Sequence, residues 1–407
     1  MEHLHLVLIL LAILGFAALS RRLESSVLTM PMAFTAFGWL IGQGGADLIP
    51  MESEHAIVHG IAEFTLILVL FSDASRIDLG ALKKGAGIPA RMLLIGMPLT
   101  ILFGTLVAHW VSLEQSWALA LLVAAILTPT DAALGQAVVS SPSVPLRLRQ
   151  GVNVESGLND GMALPVVMIA ALAASSGAAH GGGEAPDNLF RFAALQVALG
   201  PLAGVVIAWL AARLLDFAID RKLATLSYQG IYFLATALLC YLGAELIGGN
   251  GFIAAFVGGL TFGNTLRCSH DFIGEFMESE GQLLTLLTFL IFGAVLAPQG
   301  LAHATWKTVM LSLAFLTVVR ILPVWLSLTG TDLRPWEKFF LGWSGPRGLA
   351  SILFALLIVE GYDVPGADEV LACVVLTVLL SIFLHGVTAQ PLAASFARRG
   401  ETPSTGA

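Results

Sequence analysis

The chain has 407 residues, 57% of them apolar and only 12% charged, with a net charge of −8 and a mean hydropathy of +0.86. A soluble protein carries roughly 25% charged residues, and a soluble fold of this length has no interior large enough for so much apolar surface, whereas a bilayer takes the place of water around each helix. The acidic balance and the lack of a basic tail argue against nucleic acid as a partner, and the three cysteines form neither a disulfide framework nor a CxxC metal pair.

Thirteen apolar runs follow one another at 4–20, 26–43, 57–73, 88–110, 117–139, 151–174, 190–213, 229–247, 250–264, 282–298, 307–328, 338–359 and 369–391. A membrane helix needs about 20 apolar residues, and these runs are too long and unbroken for alternating barrel strands. The expected fold is an all-α membrane protein of thirteen transmembrane helices. Arg21 and Arg22 follow the first run instead of preceding it, so that run is read as a retained helix and not a signal peptide. Segment 176–188, rich in Gly, is expected to be a flexible outer linker, and 265–281 a surface helix on the cytoplasmic side. Residues 1–391 form one transmembrane transporter domain in this reading, and 392–407 a short cytoplasmic tail without fixed structure. With the N-terminus outside, every Lys and Arg falls in a cytoplasmic loop or tail except Arg191 and Lys307 at the outer edge and Arg320 and Arg347 within runs. That asymmetry is the one membrane proteins show, and it puts the C-terminus in the cytoplasm.

Ionisable groups at mid-helix cost about 2.5–3.5 kcal/mol on insertion scales and mark function. Asp73, Asp131, Glu155, Asp160, Arg320 and Arg347 all lie inside runs. Run five contains Thr128-Pro129-Thr130-Asp131, where Pro129 lacks a backbone donor and should break the helix. Run twelve contains Gly342-Trp343-Ser344-Gly345-Pro346-Arg347-Gly348, a second breaker built around a charge. Runs five and twelve cross in opposite directions, and broken helices at inverted places in two halves point to an inverted-repeat transporter with its site at the midplane. In run six, Ser156 and Asp160 share one helical stripe and Glu155 and Asn159 the next. Freed carbonyls of the break, threonine hydroxyls and these side chains are the several oxygens that a hard monovalent cation wants. No cluster of His and Cys speaks for a transition metal.

With TPTD in run five, ESGLNDG in run six, an arginine in run eleven and an Arg-Gly motif in run twelve, the sequence resembles the monovalent cation–proton antiporter family, in its bacterial-type electroneutral sodium–proton exchanger branch. The resemblance covers most of the chain. It implies two crossed, discontinuous helices (runs five and twelve), runs 4–6 and 11–13 as the ion-translocating core, and a homodimer. It implies that Thr130, Asp131, Ser156, Asn159 and Asp160 surround the ion, with Asp73 more loosely matched, so that Asp160, Ser156, Thr130 and Asp73 would hold the cation. It implies that Glu155 pairs with Arg320. Asn159-Asp160 matches the electroneutral branch. The electrogenic branch has two adjacent acids there and a later lysine, which is absent from the depths of runs ten to twelve.

The expected function is therefore secondary antiport, not enzyme catalysis, in a bacterial inner membrane. A monovalent cation, with sodium as first choice and lithium or potassium beside it, exchanges one for one with a proton by competing for the Asp160 carboxylate. Glu155, Arg320 and Arg347 would balance charge, and no cofactor is expected. Two other readings stand beside it: a sodium-coupled organic-anion transporter in which Arg347 binds the substrate carboxylate, and a membrane scaffold or sensor that moves nothing.

Overall fold

The computed structural model describes residues 4–24, 29–46, 55–80, 87–111, 116–131, 134–135, 138, 141–175, 189–225, 228–267 and 281–398. Helices lie over all of the expected runs: α1 Leu4–Glu24, α2 Met30–Ile41, α3 His55–Ser75, α4 Gly87–Val111, α5 Trp117–Ile126, α6 Leu146–Ala174, α7 Leu189–Asp220, α8 Gln229–Leu246, α9 Gly251–Thr265, α10 Gln282–Ala302, α11 Trp306–Ser327, α12 Pro335–Trp343, α13 Leu349–Gly361 and α14 Ala367–Arg398. Among the described residues there is no β-strand, and seven helices are long and apolar enough to cross a membrane. Both the 176–188 linker and most of the proposed 265–281 surface helix lie outside the described residues.

Side-chain oxygens start several helices where water is scarce. Thr29 accepts from the Met32 N–H, Ser116 from Leu119 and Asn250 from Ile253, while Thr305 and Thr308 cap one another's backbone at the start of α11. Apolar surface gives little drive for helix association in lipid, so close backbone approach through small residues takes over. Gly259 and Gly263, one turn apart on α9, lie against the carbonyls of Phe71 and Ser75 on α3, and a Cβ at either would collide with them. Gly200 and Gly204 bring α7 onto α9 in the same way. The outer face of α7 carries the exposed side chains of Leu202, Val206, Trp209 and Leu210, a surface suited to lipid.

Run twelve is split into α12 and α13 by a non-helical stretch over residues 344–348, where the sequence places its second breaker. One departure from the sequence reading concerns helix length. The last helix continues to Arg398 instead of giving way to a tail at 392, because Phe396 is fully buried and its ring meets Phe340 of α12 edge-on at 4.8 Å. Residues 399–407 lie outside the described residues.

Candidate functional site

The two breaks interlock. Helix α5 stops at Ile126 and α12 at Trp343, and the stretches that follow run against each other. The Asp131 N–H donates to the Pro346 carbonyl at 2.8 Å, and the Leu349 N–H, the first of α13, donates to Asp131 Oδ2 at 2.8 Å. Ser351 Oγ donates to the Ile126 carbonyl at 2.7 Å, and Arg347 Nη1 donates to the carbonyls of Thr128 at 2.9 Å and Pro129 at 3.2 Å. Each bond satisfies a backbone group that a broken helix would otherwise leave bare in the membrane. Gly348 is required by this approach, since a Cβ there would collide with the Asp131 carboxylate.

This geometry gives two groups at the breaks protein partners. The carbonyls of Thr128 and Pro129, expected to face an ion, are taken by Arg347, because a buried guanidinium finds its nearest acceptors there. The Asp131 carboxylate caps the first turn of α13, where the positive end of the helix dipole favours an anion.

Beside the breaks, Thr130 Oγ1 lies 2.9 Å from Ser156 Oγ and accepts from Asn159 Nδ2 at 2.7 Å. Thr130 thus ties together the two stripes of α6 that the sequence keeps apart. All three side chains are buried. Asn159 Oδ1 and Asp160 Oδ1 are buried with no hydrogen-bond partner among the described residues, two oxygens with lone pairs to spare. The Asp160 carboxylate lies within electrostatic reach of Asp73 and Asp131, and α3 and α6 meet at Gly157, whose added Cβ would lie 3.7 Å from the Asp73 carbonyl. Concentrated acidic oxygens with unfilled acceptor capacity suit a bound cation or proton.

Glu155 and Arg320 meet as a fork: Nη1 to Oε1 at 2.6 Å and Nη2 to Oε2 at 2.7 Å, both residues about 1% exposed. This is the bidentate pairing of a buried guanidinium with a carboxylate. Arg347 is completely buried, and its electrostatic neighbours include Arg320 and Glu155. Of the sequence-derived residues, the structure brings Thr130, Ser156 and Asn159 into one hydrogen-bonded cluster, pairs Glu155 with Arg320, and places Asp131 and Arg347 in the clasp between the breaks. It also adds residues that sequence reasoning passed over. On α14, Ser381 Oγ accepts the Arg347 N–H at 2.6 Å and lies 3.2 Å from His385 Nδ1, and Thr388 Oγ1 accepts from Trp343 Nε1 at 3.0 Å. Their spacing of four and three residues in an apolar helix was the available signal.

Among the described residues the chain is all-helical, with seven helices long and apolar enough to cross a membrane and two interlocked helix breaks beside a buried hydroxyl and amide cluster. Residues 6–395 match the family described as sodium/hydrogen exchanger, transmembrane, and the chain belongs to that family of cation–proton antiporters. It is 26% identical over 370 residues to the K(+)/H(+) antiporter NhaP2 of Shewanella oneidensis, a match covering 89% of this chain and 62% of that one. It is 27% identical over 305 residues to the Na(+)/H(+) antiporter NhaH of Halobacillus dabanensis, covering 72% of each. The chain thus spans about three-fifths of the length of the NhaP2 relative. In fold it is similar to the sodium proton antiporter MjNhaP1 of Methanocaldococcus jannaschii, with a TM-score of 0.80 at 20% identity over 95% of this chain and 97% of that one.

Proposed function

We propose that this chain is a secondary antiporter exchanging one monovalent cation for one proton at Asp160. The observation that carries the reading is the buried, unpartnered Asp160 Oδ1 beside the Thr130–Ser156–Asn159 cluster, at the point where the two breaks interlock. One carboxylate takes a proton or a cation, not both, so the two fluxes are coupled. Thr130, Ser156, Asn159 and Asp73 supply the neighbouring oxygens. The loaded site is neutralised in either case, and the empty site holds an uncompensated charge that resists crossing. Glu155 with Arg320 and Arg347 with the break carbonyls keep the remaining buried charge and dipoles balanced while the site changes sides.

In this reading the chain crosses a bacterial inner membrane thirteen times, with the N-terminus outside and the C-terminus in the cytoplasm. The breaks in runs five and twelve are the crossed helices of an inverted repeat, residues 1–391 are one transporter domain with runs 4–6 and 11–13 as its moving core, and two copies form a homodimer. Sodium is the proposed cation, with potassium and lithium to be compared, since similar proteins are named for both K(+) and Na(+). Arg347 spends Nη1 on backbone carbonyls, which weighs against a role in holding an organic anion. The test is a proteoliposome assay of proton movement driven by sodium, potassium or lithium, with the potential clamped. Exchange should be insensitive to the imposed potential, because only net moved charge feels it, at about 2.3 kcal/mol per 100 mV. Sustained steady-state currents would refute one-for-one exchange.

A further inference from the structure

The Arg347 N–H is one of the backbone donors that the α12–α13 break releases, and the structure shows how it is satisfied. Ser381 Oγ of α14 accepts it at 2.6 Å. Ser381, His385 and Thr388 occupy one face of α14, at a spacing of four and then three residues. Thr388 holds the residue before the break through Trp343 Nε1, and Ser381 holds the residue near its end. His385 is buried between them, its ring centroid 5.1 Å from that of Trp343, and it lines a small cleft together with Trp343, Ser344 and Thr388.

We infer that His385 is a positioning residue for cation binding, acting through Ser381 on the break. A serine hydroxyl that accepts from Arg347 still has its own proton to place, and His385 Nδ1 lies 3.2 Å from Ser381 Oγ. Nδ1 also lies 3.1 Å from the Ser381 carbonyl, so the ring is held by both the hydroxyl and the carbonyl of Ser381, and the Arg347 N–H, Ser381 and His385 form one linked chain. It fixes Arg347, whose guanidinium holds the carbonyls of Thr128 and Pro129, and Pro346, whose carbonyl receives the Asp131 N–H. Those contacts set where Thr130 sits, and Thr130 is the hub of the proposed cation cluster. The charged groups facing His385 are Arg347 from the break and Arg320 from α11, the latter paired with Glu155 of α6.

The inference rests on the antiport reading, and its test separates the two. Wild type, Ser381→Ala, His385→Ala, His385→Asn and the Ser381→Ala/His385→Ala double variant are compared in proteoliposomes for cation-dependent proton flux, with apparent KM and kcat resolved. Loss of the Ser381–His385 contact should raise the apparent KM for the cation about fivefold in either single alanine variant, the change one neutral hydrogen bond corresponds to. The double variant should be no worse than Ser381→Ala. His385→Asn, which keeps a polar group near the Nδ1 position, should bind the cation as wild type does. If His385→Ala does not fold, Ser381→Ala against His385→Asn decides alone. A wild-type KM in Ser381→Ala, additive single effects, or a His385→Asn variant as impaired as His385→Ala would overturn the proposal. A wild type without cation-dependent flux would instead overturn the antiport reading.

Discussion

Replacing either member of the Glu155–Arg320 pair should destabilise the protein, and the two replacements should not be equal. Both side chains are about 1% exposed and joined by two bonds of 2.6 and 2.7 Å. Removing one partner of such a pair leaves a buried, uncompensated charge and costs about 3–5 kcal/mol. The surroundings make the cost asymmetric. In Arg320→Met, Glu155 keeps Arg347 as a nearby positive charge; in Glu155→Leu, Arg320 and Arg347 repel each other without the carboxylate between them. Glu155→Leu should therefore lie near the upper end of that range and Arg320→Met near the lower. The double variant should recover part of the loss, because well-packed apolar residues can replace a buried pair at little net cost. Apparent melting temperatures of the detergent-purified variants, followed by fluorescence-detected size exclusion, give the order: wild type, double variant, Arg320→Met, Glu155→Leu. A double variant no more stable than either single one, or Glu155→Leu milder than Arg320→Met, would refute the reasoning.

Gly348→Ala should abolish most transport while leaving a folded protein, since its Cβ would collide with the Asp131 carboxylate and come within 2.7 Å of Leu134 Cδ1; normal flux in a well-expressed variant would show that the clasp tolerates opening. The exposed pair of Arg147, at the start of α6, with Asp332 should not contribute to pH dependence near neutrality. Hydrogen bonds from Arg147 at 2.7 and 2.8 Å hold the Asp332 carboxyl down at about 2, so its contribution is present above the ordinary carboxylate range and is lost only as pH falls through about 2. Asp332→Asn should leave the profile of exchange between about pH 5 and 8 unchanged, as measured by dequenching of a pH-sensitive dye.

The membrane architecture was legible because lipid imposes a length and a composition on every span, and α4, α6 and α8 begin and end within a few residues of their apolar runs. The breaks were legible because Pro129 and the Gly-Pro-Arg-Gly stretch at 345–348 advertise local chemistry. What each freed backbone group would meet was not, since it depends on contacts across more than 200 residues, as from Arg347 to Thr128. The pairing of Glu155 with Arg320 was available only from the family resemblance, because nothing local couples residues 165 apart. The cap that Asp131 forms on α13 was not legible for a related reason: a carboxylate beside a break looks the same in sequence whether or not it caps the next helix. Phe396 carried the last helix past its expected end through a ring contact with α12 that no apolar-run count could register.

The central claim is that proton and cation compete for Asp160. The most direct measurement is cation-dependent proton flux in proteoliposomes for wild type and Asp160→Asn, each shown by size exclusion and melting to be folded. Asn keeps the shape of the side chain and cannot exchange a proton, so the account predicts sodium-driven proton movement in the wild type and none in Asp160→Asn. Retained cation-dependent proton movement in the folded Asp160→Asn protein would contradict it.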